Sequence, residues 1–155
     1  MHDETTEYSV IGPKEIVTRI WTLPNTLLGL LPAGLGLLTG TRVRLVRGVV
    51  EAHGGFVTRL LELPDRFRFG VAPLALTLGH VVLGRTAAAL DVTREHERIH
   101  VRQYERWGPF FLPAYGLSSL LAWLRGRDPY RDNRFEREAY GDAPAFRSRD
   151  DPSAG

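Results

Sequence analysis

The chain has 155 residues, 43% of them apolar and 25% charged, which suits one globular domain and excludes wholesale disorder. A formal net charge of +2 gives no electrostatic reason to expect nucleic acid as a partner. Because the chain has no cysteine, disulfides, thiolate zinc sites, iron–sulfur clusters and a cysteine nucleophile are excluded. Any metal must therefore be bound by His, Asp or Glu.

Two uncharged stretches bear on location. The acidic, polar Met1–Glu7 segment is unlike a secretory signal peptide, so we expect a cytoplasmic protein or one on the cytoplasmic membrane. Residues 21–40 carry no charge and are long enough to span a bilayer, but Pro24 and Pro32 disfavour one continuous helix. The second stretch, 108–124, is short for a span. We interpret both as buried or hairpin-like segments, with membrane association through 21–40 and 108–124 as the alternative.

In chain order, the pattern predicts mostly short elements before the middle of the sequence. After a mixed segment at 8–23 come a hairpin over 41–53 with its turn at Arg47-Gly48, a short helix over 56–63, and a short strand around Phe67 and Phe69. Alternating apolar residues predict the clearest strand over 74–83.

The second half of the chain is predicted to be helical. A polar helix capped by Asp91 or Thr93 runs to Trp107, where Gly108 and the proline after it stop it. A second helix covers 112–124, and a last short helix starts near Asn133. The composition predicts one α+β domain over 1–142 and a disordered tail over 143–155.

The sequence His96-Glu97-Arg98-Ile99-His100 is the motif that carries chemistry. Four helical residues turn by about 400°, which leaves the two imidazoles about 40° apart and one turn from each other. Both can therefore bind one zinc ion, and Glu97 lies beside them as a general base for the metal-bound water. The competing interpretation is a solvated helix face with two unrelated histidines.

At this point the chain resembles the gluzincin metallopeptidases, particularly minimal and membrane-associated ones with a Glu-x-x-Ala-Asp pattern downstream of the HExxH helix. Glu136-Arg137-Glu138-Ala139-Tyr140 looks like that pattern, with Glu136 in the ligand position and Tyr140 where the Asp would stand. The resemblance covers about 74–140. It implies a zincin-like fold with a small antiparallel sheet or hairpins, the HExxH helix preceded by an edge strand, and a C-terminal glutamate helix.

The third ligand stays open between two carboxylates. Asn133 to Glu136 also fits a capping box, in which the glutamate would bond the backbone at the helix start instead of a metal. Glu138 is then the fallback ligand, although it lies on the opposite side of the helix.

Three further side chains are secondary candidates. Tyr104 and Tyr140 lie one turn beyond His100 and Glu136, where either hydroxyl could stabilise an oxyanion, although core anchoring is the commoner role of a tyrosine. His80 is on the apolar face of its predicted strand, which is more typical of a hydrogen-bonded core histidine than of a ligand.

We therefore expect a zinc-dependent hydrolase, most simply a peptidase acting on a peptide or protein, with one Zn²⁺ bound by His96, His100 and Glu136. The first alternative is a non-catalytic protein that keeps the metal for structure or keeps only the fold. The second alternative is a membrane-associated adaptor in which the motif is accidental.

Overall fold

In the computed structural model, which describes residues 12–64 and 73–141, four short strands and the surrounding helices form an α+β fold, as predicted. The predicted strand around Phe67 and Phe69 and the predicted tail at 143–155 lie outside these residues. The elements in chain order are α1 (Pro13–Leu37), β1 (Arg42–Val46), β2 (Val49–His53), α2 (Gly55–Leu61), β3 (Ala75–Leu78), β4 (Val81–Gly84), α3 (Ala87–Trp107), a 3-10 turn (Gly108–Phe110), α4 (Phe111–Leu124) and α5 (Arg134–Tyr140).

The sheet is mixed, with the strand order β1-β2-β4-β3. β1 and β2 form the predicted hairpin, and its turn residues Arg47 and Gly48 have φ of 48° and 80°, the backbone that favours a tight hairpin. β3 and β4 are also antiparallel, but β2 and β4 are parallel. The predicted antiparallel hairpins are therefore present, but the alternative of a single antiparallel sheet is wrong, because β4 joins the two hairpins by pairing parallel to β2.

The single strand predicted over 74–83 is in fact the β3–β4 hairpin. Gly79 turns the chain with φ of 62°, and a Cβ at this glycine would collide with Thr26 of α1. The Thr26 hydroxyl also accepts a hydrogen bond from the His80 backbone N–H at 3.1 Å. The hairpin is therefore docked on α1, and β3 becomes the last strand of the sheet.

α1 is one continuous helix of 25 residues that contains both Pro24 and Pro32, so the expected hairpin-like break is wrong. Small or polar residues form its buried stripe, which is how the helix approaches the sheet so closely: Thr22, Asn25, Gly29, Ala33 and Gly36. By length and a mean hydropathy of 1.3, α1 is apolar enough to cross a membrane, a test that core helices and signal sequences also pass. Only 28% of its apolar window is buried.

α3 begins earlier than predicted. The Thr86 hydroxyl accepts a hydrogen bond from the Ala89 N–H and caps the helix, whereas Asp91 lies within the second turn. The helix ends at Trp107 as predicted, where Gly108 adopts φ of 54°. α3 packs along β3 and β4 on one side and contacts α5 on the other, which sets the HExxH residues between the sheet edge and the last helix.

Candidate metal centre

Three side chains from two helices converge beside β3. His96 and His100 lie one turn apart on α3, and Glu136 lies in the first turn of α5. One ligand atom from each residue lies within 4.8 Å of the other two. The Nε2 atoms of the histidines are 3.0 Å apart, and the carboxylate oxygens of Glu136 lie 3.3 Å from His96 Nε2 and 3.4 Å from His100 Nε2. The cluster is largely buried and could hold a metal ion.

The local structure of α5 leaves Glu136 free to face the histidines. The Asn133 side chain caps the helix by accepting from the Phe135 N–H at 2.9 Å, as a cap residue should. The backbone N–H that a capping-box glutamate would bind is instead donated by Asn133 to the Tyr130 carbonyl at 3.1 Å. The fallback candidate, Glu138, is turned away and pairs with Arg106 at 3.1 Å.

A relay of hydrogen bonds sets the orientation of His100. Gln103 is fully buried, and its Nε2 donates to the Phe135 carbonyl at 3.0 Å. Its Oε1 is therefore turned toward His100 Nδ1, 2.9 Å away. Because an amide oxygen only accepts, His100 carries a proton on Nδ1, so Nε2, which faces Glu136, is the ring nitrogen that would bind an ion after losing its own proton. This arrangement matches the outer hydrogen bonds that orient metal-binding histidines.

His96 has no equivalent support. Its Nδ1 is buried without a hydrogen-bond partner in the described part of the chain. The ring instead contacts Tyr140, with centroids 4.3 Å apart. Tyr140 stands where the gluzincin pattern has an Asp, so an aromatic contact replaces the expected carboxylate.

Glu97 is held by the edge strand. Its Oε2 accepts a hydrogen bond from the Thr77 hydroxyl of β3 at 2.6 Å, and only 5% of the residue is exposed. Burial raises the pKa of the Glu97 carboxyl above its usual value, against the smaller lowering effects of Thr77 and the two histidines. A carboxylate with a raised pKa is a better proton acceptor, which suits a general base.

The charges of the cluster favour a cation at its centre. Burial alone would raise the pKa of Glu136, but its close contacts with the His100 and His96 rings lower it to about 2. Burial would lower the pKa of His100, yet Glu136 raises it. Oε2 of Glu136 is buried without a hydrogen bond among the described residues. Two imidazole nitrogens and a carboxylate oxygen form a typical three-residue zinc donor set, so the residues present fit the ion.

Tyrosines surround Glu136, but the predicted Tyr104 is not one of them. Its hydroxyl donates to the Thr77 carbonyl at 3.1 Å and the residue is 1% exposed, so it anchors α3 to β3. Tyr115 of α4 donates to Glu136 Oε1 at 2.7 Å. The hydroxyls of Tyr130 and Tyr140 are 3.0 Å apart.

His80 lies apart from the cluster, and its hydrogen bonds are structural. Its Nδ1 is 3.0 Å from the Thr22 hydroxyl and its Nε2 is 3.0 Å from Glu105, so it links α1, the β3–β4 turn and α3.

The sequence interpretation missed four residues that contact the cluster or Glu97: Thr77, Gln103, Tyr115 and Tyr130. Only Gln103 had a visible signal, since a residue three positions after His100 lies on the same helix face. The other three belong to segments distant in sequence, and no local sequence pattern indicates that these segments contact the site.

The comparisons with known proteins add no homologue to these observations. The chain matches no family model, no curated protein and no solved structure.

Proposed function

We propose that the chain is a zinc-dependent peptidase whose single Zn²⁺ is bound by His96, His100 and Glu136. The observation that carries this proposal is the convergence of these three donor atoms within 4.8 Å of one another at a largely buried site. The fixed orientation of His100 supports it, since Nε2, the nitrogen that would bind the ion, is directed to the shared centre.

Glu97 is the catalytic residue of the proposal. A zinc ion, when bound, would acidify an attacking water and polarise the substrate carbonyl. Glu97 accepts the proton of that water and delivers it to the leaving amine, while Thr77 holds one of its two oxygens in place. Tyr140 lies against His96 and is the remaining candidate from the sequence for stabilising the oxyanion.

The fold offers a place for an extended substrate. β3 pairs with β4 on one side, and no strand among the described residues covers its other edge, where the Thr77 carbonyl accepts from the Tyr104 hydroxyl. An extended peptide that added to this edge would run beside Thr77, which bonds the general base. This arrangement is consistent with a zincin-like scaffold and with a peptide as the substrate.

A non-catalytic metal protein is the second candidate. Its support is the unpartnered His96 Nδ1, because a metal-binding histidine usually donates its other N–H to an acceptor that increases its basicity. A structural metal that ties α3 to α5 does not require a general base, so activity and metal content must be measured together.

The test compares the full chain, prepared without a His tag, with Glu97→Gln and Glu95→Gln. Glu95 is exposed on the same helix and is the matched control. Zinc content is measured for each protein, and hydrolysis is followed on a mixture of unstructured peptides by mass spectrometry. We expect equal zinc in all three and a loss of activity of about 10³-fold in Glu97→Gln alone.

Two results would reject the catalytic assignment. Unchanged hydrolysis by Glu97→Gln would exclude this residue as the base. One zinc per chain without hydrolysis by the unaltered protein would favour the structural role.

A further inference from the structure

The polarity of α1 is inverted relative to a helix of a water-soluble domain. Its buried stripe consists of small or polar residues, whereas its large apolar side chains face outward. Leu31 and Leu35 are each 61% exposed, and Leu38, which follows the helix, is 90% exposed. At 100° per residue, the exposed apolar side chains cover an arc of about 200° around the axis. Helices of soluble proteins place their apolar face toward the core instead.

α4 shows the same inversion. Its buried residues are Phe111 and Ala122, and the half-buried positions between them include Tyr115 and two serines. Leucines and a tryptophan face outward, with Trp123 at 63% and Leu124 at 64% exposed. No charged residue occurs between 108 and 124.

The two outward faces belong to one surface. The Asn25 amide donates to the Gly108 carbonyl at 2.8 Å, and the Trp21 and Phe110 rings lie 6.2 Å apart, so α1 meets the segment that leads into α4. We call this surface the apolar face; it comprises the large apolar residues exposed on 16–38 and 110–124. A contiguous surface with this many large exposed apolar side chains is typical of a protein or membrane interaction site.

We propose that the apolar face inserts into the acyl-chain region of a lipid bilayer. Small residues at helix contacts with large apolar residues outside are the pattern of helices packed in lipid. Because the exposed apolar side chains of α1 cover about 200° around its axis, acyl chains can contact the whole arc, whereas one flat protein surface would cover only part of it. Arg42 and Arg125 are the first charged residues after the two uncharged stretches, and arginine at such positions suits contact with headgroups.

The cluster of His96, His100 and Glu136 is in direct contact with α4. Tyr115 on the inner side of α4 bonds Glu136, while Leu117 and Leu120 on the outer side of the same helix are 57% and 49% exposed. The cluster thus lies directly behind a lipid-facing helix. The insertion itself does not depend on zinc or on catalysis, so its test can fail or succeed independently of the proposed function.

The test is flotation with vesicles of phosphatidylcholine alone. The full chain is made in mild detergent, mixed with vesicles, freed of detergent and washed with high salt and alkaline carbonate. We expect it to float with the vesicles through both washes. The Leu31→Lys/Leu35→Lys protein should bind at least about tenfold more weakly, because lysine at the bilayer centre is strongly disfavoured.

Val92→Lys is the matched control, since Val92 is an 82% exposed apolar residue on α3, outside the apolar face. It should float like the unaltered chain. A second measurement uses vesicles with brominated acyl chains, which should quench the fluorescence of Trp123. The quenching should fall markedly in Trp123→Phe. Circular dichroism checks that each variant is folded.

Three outcomes would overturn the proposal. The first is a chain that stays dispersed without detergent and does not float, whether as a monomer or as an oligomer that covers the apolar face. The second is equal flotation of the double-lysine variant, and the third is equal loss of binding in Val92→Lys.

Discussion

Glu136 illustrates how a single backbone hydrogen bond decides the use of a side chain. As a capping-box residue it would face its own helix start, but the Asn133 N–H is bound by the Tyr130 carbonyl. The carboxylate is then free to turn toward His96 and His100, and Tyr115 fixes one of its oxygens. The sequence could not separate these two uses, because the competing acceptor belongs to a loop with no regular pattern.

Gln103 gives the sharpest prediction at the scale of single residues. Gln103→Met keeps the volume but removes the acceptor for His100 Nδ1, so the ring can adopt either tautomer and orientation. We expect zinc affinity to fall about 10–100-fold, the usual effect of losing such an outer hydrogen bond. Competition with a chromophoric chelator measures it.

The control for Gln103→Met is the thermal unfolding of the metal-free proteins. Buried Gln103 also bonds the Phe135 carbonyl, so some loss of stability is expected whatever its role toward zinc. Unchanged zinc affinity in a folded variant would show that His100 does not depend on this relay.

At the scale of secondary structure, short-range signals predicted most elements. The β1–β2 hairpin followed from Arg47-Gly48, and the end of α3 followed from Gly108. The prediction from sequence was wrong where tertiary contacts decide the secondary structure. Gly79 was assigned to the middle of a strand because alternation continues through it, but the approach of Thr26 makes it a turn.

The candidate metal site was also predictable only in part, because it combines residues joined by local spacing with residues from distant segments. His96 and His100 are joined by helical spacing, which the sequence displays. Glu136 was placed by a family resemblance and not by geometry. Thr77 and Tyr115 reach the cluster across 20 or more residues of sequence, and nothing local marks such contacts.

An ion-pair network around the buried Glu51 joins the β1–β2 hairpin to α3. Glu51 of β2 accepts from Arg44 at 2.8 Å and from Arg94 at 2.9 Å, and Asp91 pairs with both arginines. Burial raises the pKa of Glu51, but the hydrogen bonds from Arg94 and Arg44 outweigh it and lower the pKa below its ordinary 4.5. The network therefore favours the ionised, folded state.

We predict that Glu51→Gln lowers the free energy of unfolding by about 2 kcal/mol at pH 7, a value below that of a fully buried pair because both arginines are partly exposed. Since the folded pKa is depressed, this stabilisation is present above pH 4.5 and is lost as the pH falls below it. Denaturant unfolding at several pH values measures both effects. A difference that persists unchanged in acid would contradict the assignment, and Glu95→Gln should show none.

At the scale of the whole molecule, the inverted polarity of α1 and α4 and the attachment of the short helix α5 to α3 explain the architecture together. The inverted polarity of α1 and α4 places their large apolar residues outside, so the core forms mainly between the sheet and the helices α2 and α3. α5 is a helix of 7 residues, too short to be stable alone. Its attachment to α3 through Glu136 means that an ion at the cluster would join the two parts of the fold.

The most direct test of the central claim is the zinc affinity of the unaltered chain measured beside Glu136→Ala and Glu138→Ala. The account predicts one zinc per chain, a loss of affinity of about 100-fold or more in Glu136→Ala, and no change in Glu138→Ala, whose side chain pairs with Arg106. A chain that binds no divalent cation, or a Glu136→Ala protein that binds zinc as tightly as the unaltered chain, would contradict it.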